Sequence, residues 1–214
     1  MPHTCKIIAV ESLAPTLYRI LIEKPSGFRF VPGHSAMIAI NKPFLLAQRH
    51  PLTFTSTNDD QYLEFHVKTY PERQSFNNYL AALRSGDSLL IGEMFGSIRY
   101  VGPGLFLAGG IGIAPFLAIF RQLKKENALA HNTLIYSARY RTDLVAEREL
   151  RNLLGPSFLV TLTKEKKEGC QHGRITSQFL QQHLPFLPKN IYIIGSEEFV
   201  IDMRALSFPA QISL

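Results

Sequence analysis

Cysteine is scarce in this sequence. Cys5 and Cys170 are the two in 214 residues, and neither lies in a C-x-x-C pair. That argues against a disulfide framework and against an iron-sulfur or zinc site. Any redox chemistry must then come from a bound organic cofactor. Long apolar runs are missing as well, since none reaches the ~18 residues that a membrane span requires. The opening MPHTCKIIAVES is polar and charged where a secretory signal needs an apolar stretch. The expectation is a cytoplasmic protein with no membrane span. Net charge is +6, yet the densest basic cluster, KEKKEG at 164–169, is broken by glutamates and lacks interleaved aromatics. Nucleic acid is therefore not an expected partner. The positive surface suits anionic cofactors or an acidic protein instead. His3, His34, His131 and His183 show no ligand spacing, and no metal site is expected. Internal repeats and low-complexity stretches are absent.

What is present suffices for one large core or two modest ones, with 46% hydrophobic and 19% charged residues. The first hundred residues read as short strands: TCKIIAVES, LYRILIEKP, SAMIAI, PLTFTS, YLEFHVKT and SLLIGE, separated by Pro, Gly and Asn-Asp turns. Six short strands at close spacing imply a small barrel. One helix interrupts them, SFNNYLAALRSG, with Phe76, Tyr79, Leu80 and Leu83 at helical spacing and Gly86 as the expected cap. After Val101-Gly-Pro-Gly104 strands and helices alternate. GLFLAG precedes APFLAIFRQLKKE, NTLIYSA precedes DLVAERELRNLL, FLVTLT precedes SQFLQQHL, and NIYIIG precedes EEFVIDMRAL. Four such units predict a parallel sheet with helices on both faces. The change of period sets a domain boundary near residue 101, giving domains 1–101 and 102–214.

Between the first of those strands and its helix stands GGIGIAP, residues 109–115. Glycines at such a turn let backbone approach a diphosphate at the positive end of a helix. The alternative is a plain tight bend, because the pattern is not G-x-G-x-x-G. Its company decides: RHPLTFTS at 49–56, GEMFGS at 92–97, YSARYRTDL at 136–144, HGRIT at 172–176 and IIGSEEF at 193–199. In this order the set resembles the ferredoxin-NADP reductase superfamily over essentially the whole chain. PLTFTS stands at that family's Arg-x-Tyr-Ser flavin motif, in a form like the His-Pro-Phe-Thr variant of ferric reductases, and GGIGIAP is similar to its Gly-Gly-x-Gly-x-Thr-Pro.

The resemblance implies a six-stranded antiparallel Greek-key FAD-binding barrel followed by a parallel-sheet α/β NAD(P)-binding domain. By the same resemblance Thr53 positions the flavin ring and is the catalytic candidate, with Pro51, Leu52 and Ser56 beside it. Leu52 stands where the family stacks Tyr or Phe, so stacking is lost there. Either His50 or Arg49 faces the FAD pyrophosphate, since adjacent strand residues point to opposite faces. Backbone at His66, Val67 and Lys68 faces the flavin, Phe95 and Gly96 belong to GEMFGS, and Ser75 and Asn77 meet the diphosphate at the helix start. For the dinucleotide the resemblance gives Gly109, Gly110, Gly112 and Pro115 of the turn, Ser137, and Gly195. Arg139, Lys164 and Arg174 are candidates for gripping a 2′-phosphate, which favours NADPH over NADH.

The sequence also departs from the pattern of that family. Ile194-Gly195-Ser196 replaces Cys-Gly-Pro, Ala114 replaces the usual Thr of the turn, and the sequence stops at AQISL, short of the acidic and aromatic residues that many members place over the flavin. Hydride transfer depends on near contact of donor and acceptor far more than on a protein acid or base, so these changes should tune rate and access. The implied reaction is NAD(P)H reducing FAD, with single electrons passed to an acidic carrier such as ferredoxin or flavodoxin. The alternatives are a flavin or ferric reductase acting on small acceptors, and an FAD-holding electron-transfer subunit of a larger complex.

Overall fold

The computed structural model describes residues 2–72, 74–96, 98–184 and 188–206. Ser97 of GEMFGS and the AQISL segment lie outside them. The chain forms two compact units. The first runs to Arg99 and includes Leu117–Gln122, and the second begins at Tyr100 and takes in the rest.

In the first unit the expected six strands form: β1 (His3–Ala14), β2 (Leu17–Glu23), β3 (Ser35–Ile40), β4 (Arg49–Thr53), β5 (Tyr62–Lys68) and β6 (Ser88–Phe95). They pair antiparallel in the order β4-β3-β6-β1-β2-β5. Alternation puts Leu63, Phe65 and Val67 of β5 into one core with Ile20, Ile22, Ile38 and Ile91. Phe54 anchors its centre, stacked on Phe30 at 4.5 Å and tilted against Phe65 at 5.1 Å.

Two local expectations are corrected here. PLTFTS is strand only to Thr53, because Phe54 N–H turns to donate to His34 O at 3.1 Å and Thr55 N–H to Glu64 O at 2.9 Å. The helix α1 is Phe76–Ala81 and ends on Ala82 in right-handed conformation, so Gly86 is not its cap. Gly86 instead makes a later turn at φ +93°, donating its N–H to Ile7 O at 3.1 Å.

After Arg99 come β7 (Gly104–Gly109), α2 (Ala114–Lys125), β8 (Thr133–Ala138), α3 (Glu147–Leu154), β9 (Phe158–Leu162), β10 (Gln171–His172), α4 (Ser177–His183), β11 (Asn190–Ile194) and α5 (Glu197–Ala205), all in the second unit except Leu117–Gln122 of α2. The strands of that unit run parallel in the order β10-β9-β8-β7-β11. The four expected strand-helix units are present, and the two-residue β10 extends the sheet. DLVAERELRNLL is helical only from Glu147. Leu144 and Val145 are buried in the approach, and Ala146 takes the left-handed conformation at φ 52°. Val145 N–H donates to the buried Tyr136 hydroxyl at 3.1 Å, which fixes that approach.

Candidate functional site

At one end of the six-stranded sheet, Ser35 of β3 is paired on one side with Thr53 of β4 and on the other with Phe95 of β6. Three sequence segments therefore meet at one level. The Thr53 hydroxyl lies 2.8 Å from that of Ser35, and Phe95 is 42% exposed. In the run 52–57 every residue is buried except the half-buried Thr53. Leu52 belongs to the core at 8% exposure, which leaves little of it to face a ligand. Pro51 is exposed. Gly96 packs on His34, whose Cδ2 would be 2.4 Å from an added Cβ.

Arg49 and His50 are both exposed, but they differ in surroundings. His50 stacks on Phe76, the first residue of α1, with centroids 4.4 Å apart. It thus stands beside the amino end of the helix that Ser75 caps. The Ser75 hydroxyl accepts from Asn78 N–H at 3.3 Å and donates to Asn78 Oδ1 at 2.8 Å. Asn77 Nδ2 donates to Lys68 O at 2.8 Å, tying α1 to the end of β5. Both side chains named from sequence for an anion therefore hold the local fold as well. Two other candidates are enclosed: Val67 is in the core at 1% exposure, and Ser56 is fully buried with its hydroxyl accepting from Glu64 N–H at 3.1 Å. Ser56 fixes the turn and offers no surface to a cofactor.

His66 is buried too, its Nδ1 3.1 Å from Thr55 Oγ1 and 3.7 Å from Glu64 Oε1. Glu64 gave no functional signal in the sequence, because YLEFHVK reads as an alternating strand with Glu on its wet face. The structure buries its carboxylate at 3% exposure against Arg121 Nη1 at 2.5 Å and Arg19 Nε at 3.2 Å. Burial alone would raise its pKa. The charges of Arg121 and His66, with hydrogen bonds from Arg121 and Thr55, outweigh that and hold it below the ordinary value.

In the second unit parallel pairing sets the strand ends along one edge. Gly109 of β7 pairs with Ser137 of β8, Ala138 with Leu162 of β9, and Ala108 with Ile194 of β11. Open α/β sheets bind ligands at that carboxyl edge. The glycines there divide by role. A Cβ on Gly112 would be 2.9 Å from Ile194 O, and one on Gly109 or Gly195 would meet the Phe199 ring at 2.8 or 2.4 Å. These three are required by packing. Gly110 alone of the turn, at φ +55°, looks onto open space, where backbone can approach a diphosphate. Pro115, one residue into α2, is buried.

Beyond Ser137, a cavity of about 500 Å³ is lined by Arg139, Tyr140, Thr163, Lys164, Gly173 and Arg174. All three cations named from sequence meet there. Backbone explains the first two: Lys164 N–H donates to Arg139 O at 3.0 Å, just past β8 and β9. Neither the Arg139 nor the Lys164 side chain has a hydrogen bond or ion pair among the described residues. Arg174 is committed, at 2.9 Å to Asp202 and 3.3 Å to Glu198. Two uncompensated cations and an open glycine on one sheet edge fit an anionic dinucleotide, and Tyr140, Thr163 and Gly173 are lining residues that sequence reading missed.

Two domain families match the chain: an FAD-binding domain over residues 3–84 and an oxidoreductase NAD-binding domain over residues 106–205. Among solved structures, a ferredoxin NADP+ reductase from Neisseria gonorrhoeae with bound FAD and NADP is similar at TM-score 0.82 and 21% identity, covering 95% of this chain and 89% of that one. The chain thus carries an FAD-binding domain followed by an oxidoreductase NAD-binding domain, and shares the fold of that reductase. Among relatives in sequence, the reductase component of the naphthalene 1,2-dioxygenase system of Pseudomonas putida is 26% identical over 203 residues, which are 91% of this chain and 61% of that protein. The chain thus spans about three fifths of that relative. Ferredoxin--NADP reductase B of Sorangium cellulosum is 24% identical, covering 96% of this chain and 91% of its own length. Among the described residues no helix is long and apolar enough to cross a membrane.

Proposed function

We propose that this chain is an NAD(P)H-dependent flavoprotein reductase that oxidises NADPH and delivers electrons singly to an acidic carrier protein of the ferredoxin or flavodoxin kind. The observation that carries the reading is the succession, in one chain, of an FAD-binding domain and an oxidoreductase NAD-binding domain. Domain 1–101 holds FAD and domain 102–214 the dinucleotide. FAD, when bound, supplies the conversion of a two-electron donor into one-electron steps. The chain's own residues bind and orient. Thr53, the one residue of its run that is not buried, positions the flavin ring, and His50 with the amino end of α1 meets the diphosphate. Gly110 gives the dinucleotide backbone room, and Arg139 with Lys164 meets a 2′-phosphate as fixed cations. The +6 charge speeds encounter with an acidic carrier.

Absorption spectra of the purified protein, before and after anaerobic NADPH, test the reading. A bound flavin that bleaches on addition is the expected result. Folded protein that takes up no FAD would end it. A second reading, an electron-transfer component of an oxygenase system, is favoured by relatives named as reductase or electron transfer components. Electron delivery by the isolated chain to a ferredoxin or flavodoxin foreign to any oxygenase supports the first, and delivery only to the components of an oxygenase system supports the second.

A further inference from the structure

The turn that follows Thr53 is held by one residue of β5. Thr55 N–H donates to Glu64 O at 2.9 Å, Thr55 Oγ1 to Glu64 Oε1 at 2.7 Å, and Glu64 N–H to Ser56 Oγ at 3.1 Å. Arg121 closes the set, its Nη1 donating to Thr55 O at 2.7 Å and to Glu64 Oε1 at 2.5 Å. Backbone and side chain of Thr55 are thus both fastened to the Glu64-Arg121 pair, two residues from Thr53. Arg19 Nε also lies 3.2 Å from Glu64 Oε2, buried and without a hydrogen-bond partner among the described residues.

Stability does not account for such a cluster. A buried ion pair is often matched or bettered by apolar residues of the same volume, because desolvation offsets the attraction. The surroundings would accept that replacement, with Phe54 and Phe65 already packed next to Thr55 and Glu64 in sequence. What the charged set supplies beyond apolar packing is direction, since hydrogen bonds fix the turn in angle as well as in distance.

We propose that Glu64, held by Arg121, is a positioning residue for Thr53, fixing the Phe54–Ser56 turn so that the Thr53 hydroxyl stays in one place against the flavin. This rests on the flavin reading above. Glu64 touches no cofactor in this role and acts only through the turn.

The test removes the pair together, as Glu64→Met with Arg121→Met, so that neither member is left without the other; Arg19 keeps Glu11 at 3.5 Å, and His66 keeps the Thr55 hydroxyl at 3.1 Å. If the cluster is only structural, the apolar pair keeps melting temperature, FAD affinity and kinetics. If it positions Thr53, the pair keeps melting temperature and FAD dissociation constant. Flavin reduction by NADPH then falls by roughly ten- to a hundredfold, the penalty of a misplaced group, and the visible band of the bound flavin shifts as it does in Thr53→Val. The same pair placed in a Thr53→Val background should slow reduction by less than about twofold more, since residues acting through one another are not additive. Unchanged kinetics, or losses that multiply with Thr53→Val, would overturn the inference. Should the double variant not fold, Arg121→Lys, which keeps the charge but not the fork, must show a smaller slowing with the same spectral shift, and an unchanged rate there overturns it equally. Wild-type protein that binds no FAD would overturn the flavin reading first and this inference with it.

Discussion

His50 lies nearly flat on Phe76, centroids 4.4 Å apart and planes 16° from parallel. That contact ties the edge strand β4 to the start of α1 and leaves Arg49, one residue earlier, without it. His50→Ala should therefore weaken FAD by about 1.5–3 kcal/mol, the range for a hydrogen bond to a charged group, while Arg49→Ala changes it little. Fluorescence titration with FAD measures both. The opposite order would assign the diphosphate to Arg49.

Arg139→Ala should weaken NADPH by about 1.5–3 kcal/mol and leave NADH almost untouched. Lys164→Ala should do the same to a smaller degree, because a flexible ammonium fixes a phosphate less well than a guanidinium. Arg174→Ala should have the least effect of the three, since Asp202 and Glu198 already neutralise it. Stopped-flow flavin reduction with each nucleotide gives the comparison. Equal losses for NADH and NADPH would mean that these side chains serve the common diphosphate or the fold.

Gly110 and Gly112 should separate binding from folding. An Ala at 112 meets the Ile194 carbonyl and the Gly195 backbone, which no rotamer change relieves, and should lower stability by ~1–3 kcal/mol. An Ala at 110 has room but must hold φ +55°, at ~1–2 kcal/mol, and its methyl points where the dinucleotide is placed. Melting temperature with nucleotide Kd distinguishes them: Gly110→Ala should lose affinity out of proportion to stability. A loss confined to stability would leave the turn a bend.

Acid should destabilise the protein through carboxylates held in their charged form, Glu64 and Glu147 among them. Burial raises the pKa of Glu147, but hydrogen bonds and charge from Arg141 and Arg151 outweigh it, and like Glu64 it ends below its ordinary value. Both then contribute stability fully above the unfolded carboxylate pKa of ~4.3 and lose it as pH falls through the folded value. Melting temperature should be level from neutral pH to about pH 5 and fall below that. Glu147→Gln should flatten the fall, and an unchanged slope would remove Glu147 from the account.

Much of this was legible because it is local. Period-2 and period-3.6 patterns located the strands and helices, and strand ends in a parallel sheet place Gly109, Ser137, Arg139 and Lys164 on one edge. What escaped depends on partners remote in sequence. Glu64 looks like a solvent residue on an alternating strand, and the cations that meet it when buried, Arg19 and Arg121, the latter 57 positions away, are remote in sequence. The Glu64-Arg121 pair hides why strand β4 stops at Thr53. Strand β10 is two exposed polar residues, too short for any periodicity. Gly86 was a fair cap by spacing, but α1 closed a turn earlier and left it to a different bend.

The Phe199 ring covers both Gly109 and Gly195, which makes three positions behave as one under substitution. A methyl at 109 or 195 has no room while 199 is aromatic, and shrinking 199 opens a gap over both. Sequence drift along this edge must therefore move in concert: related chains with a side chain at 109 or 195 should carry a smaller residue at 199.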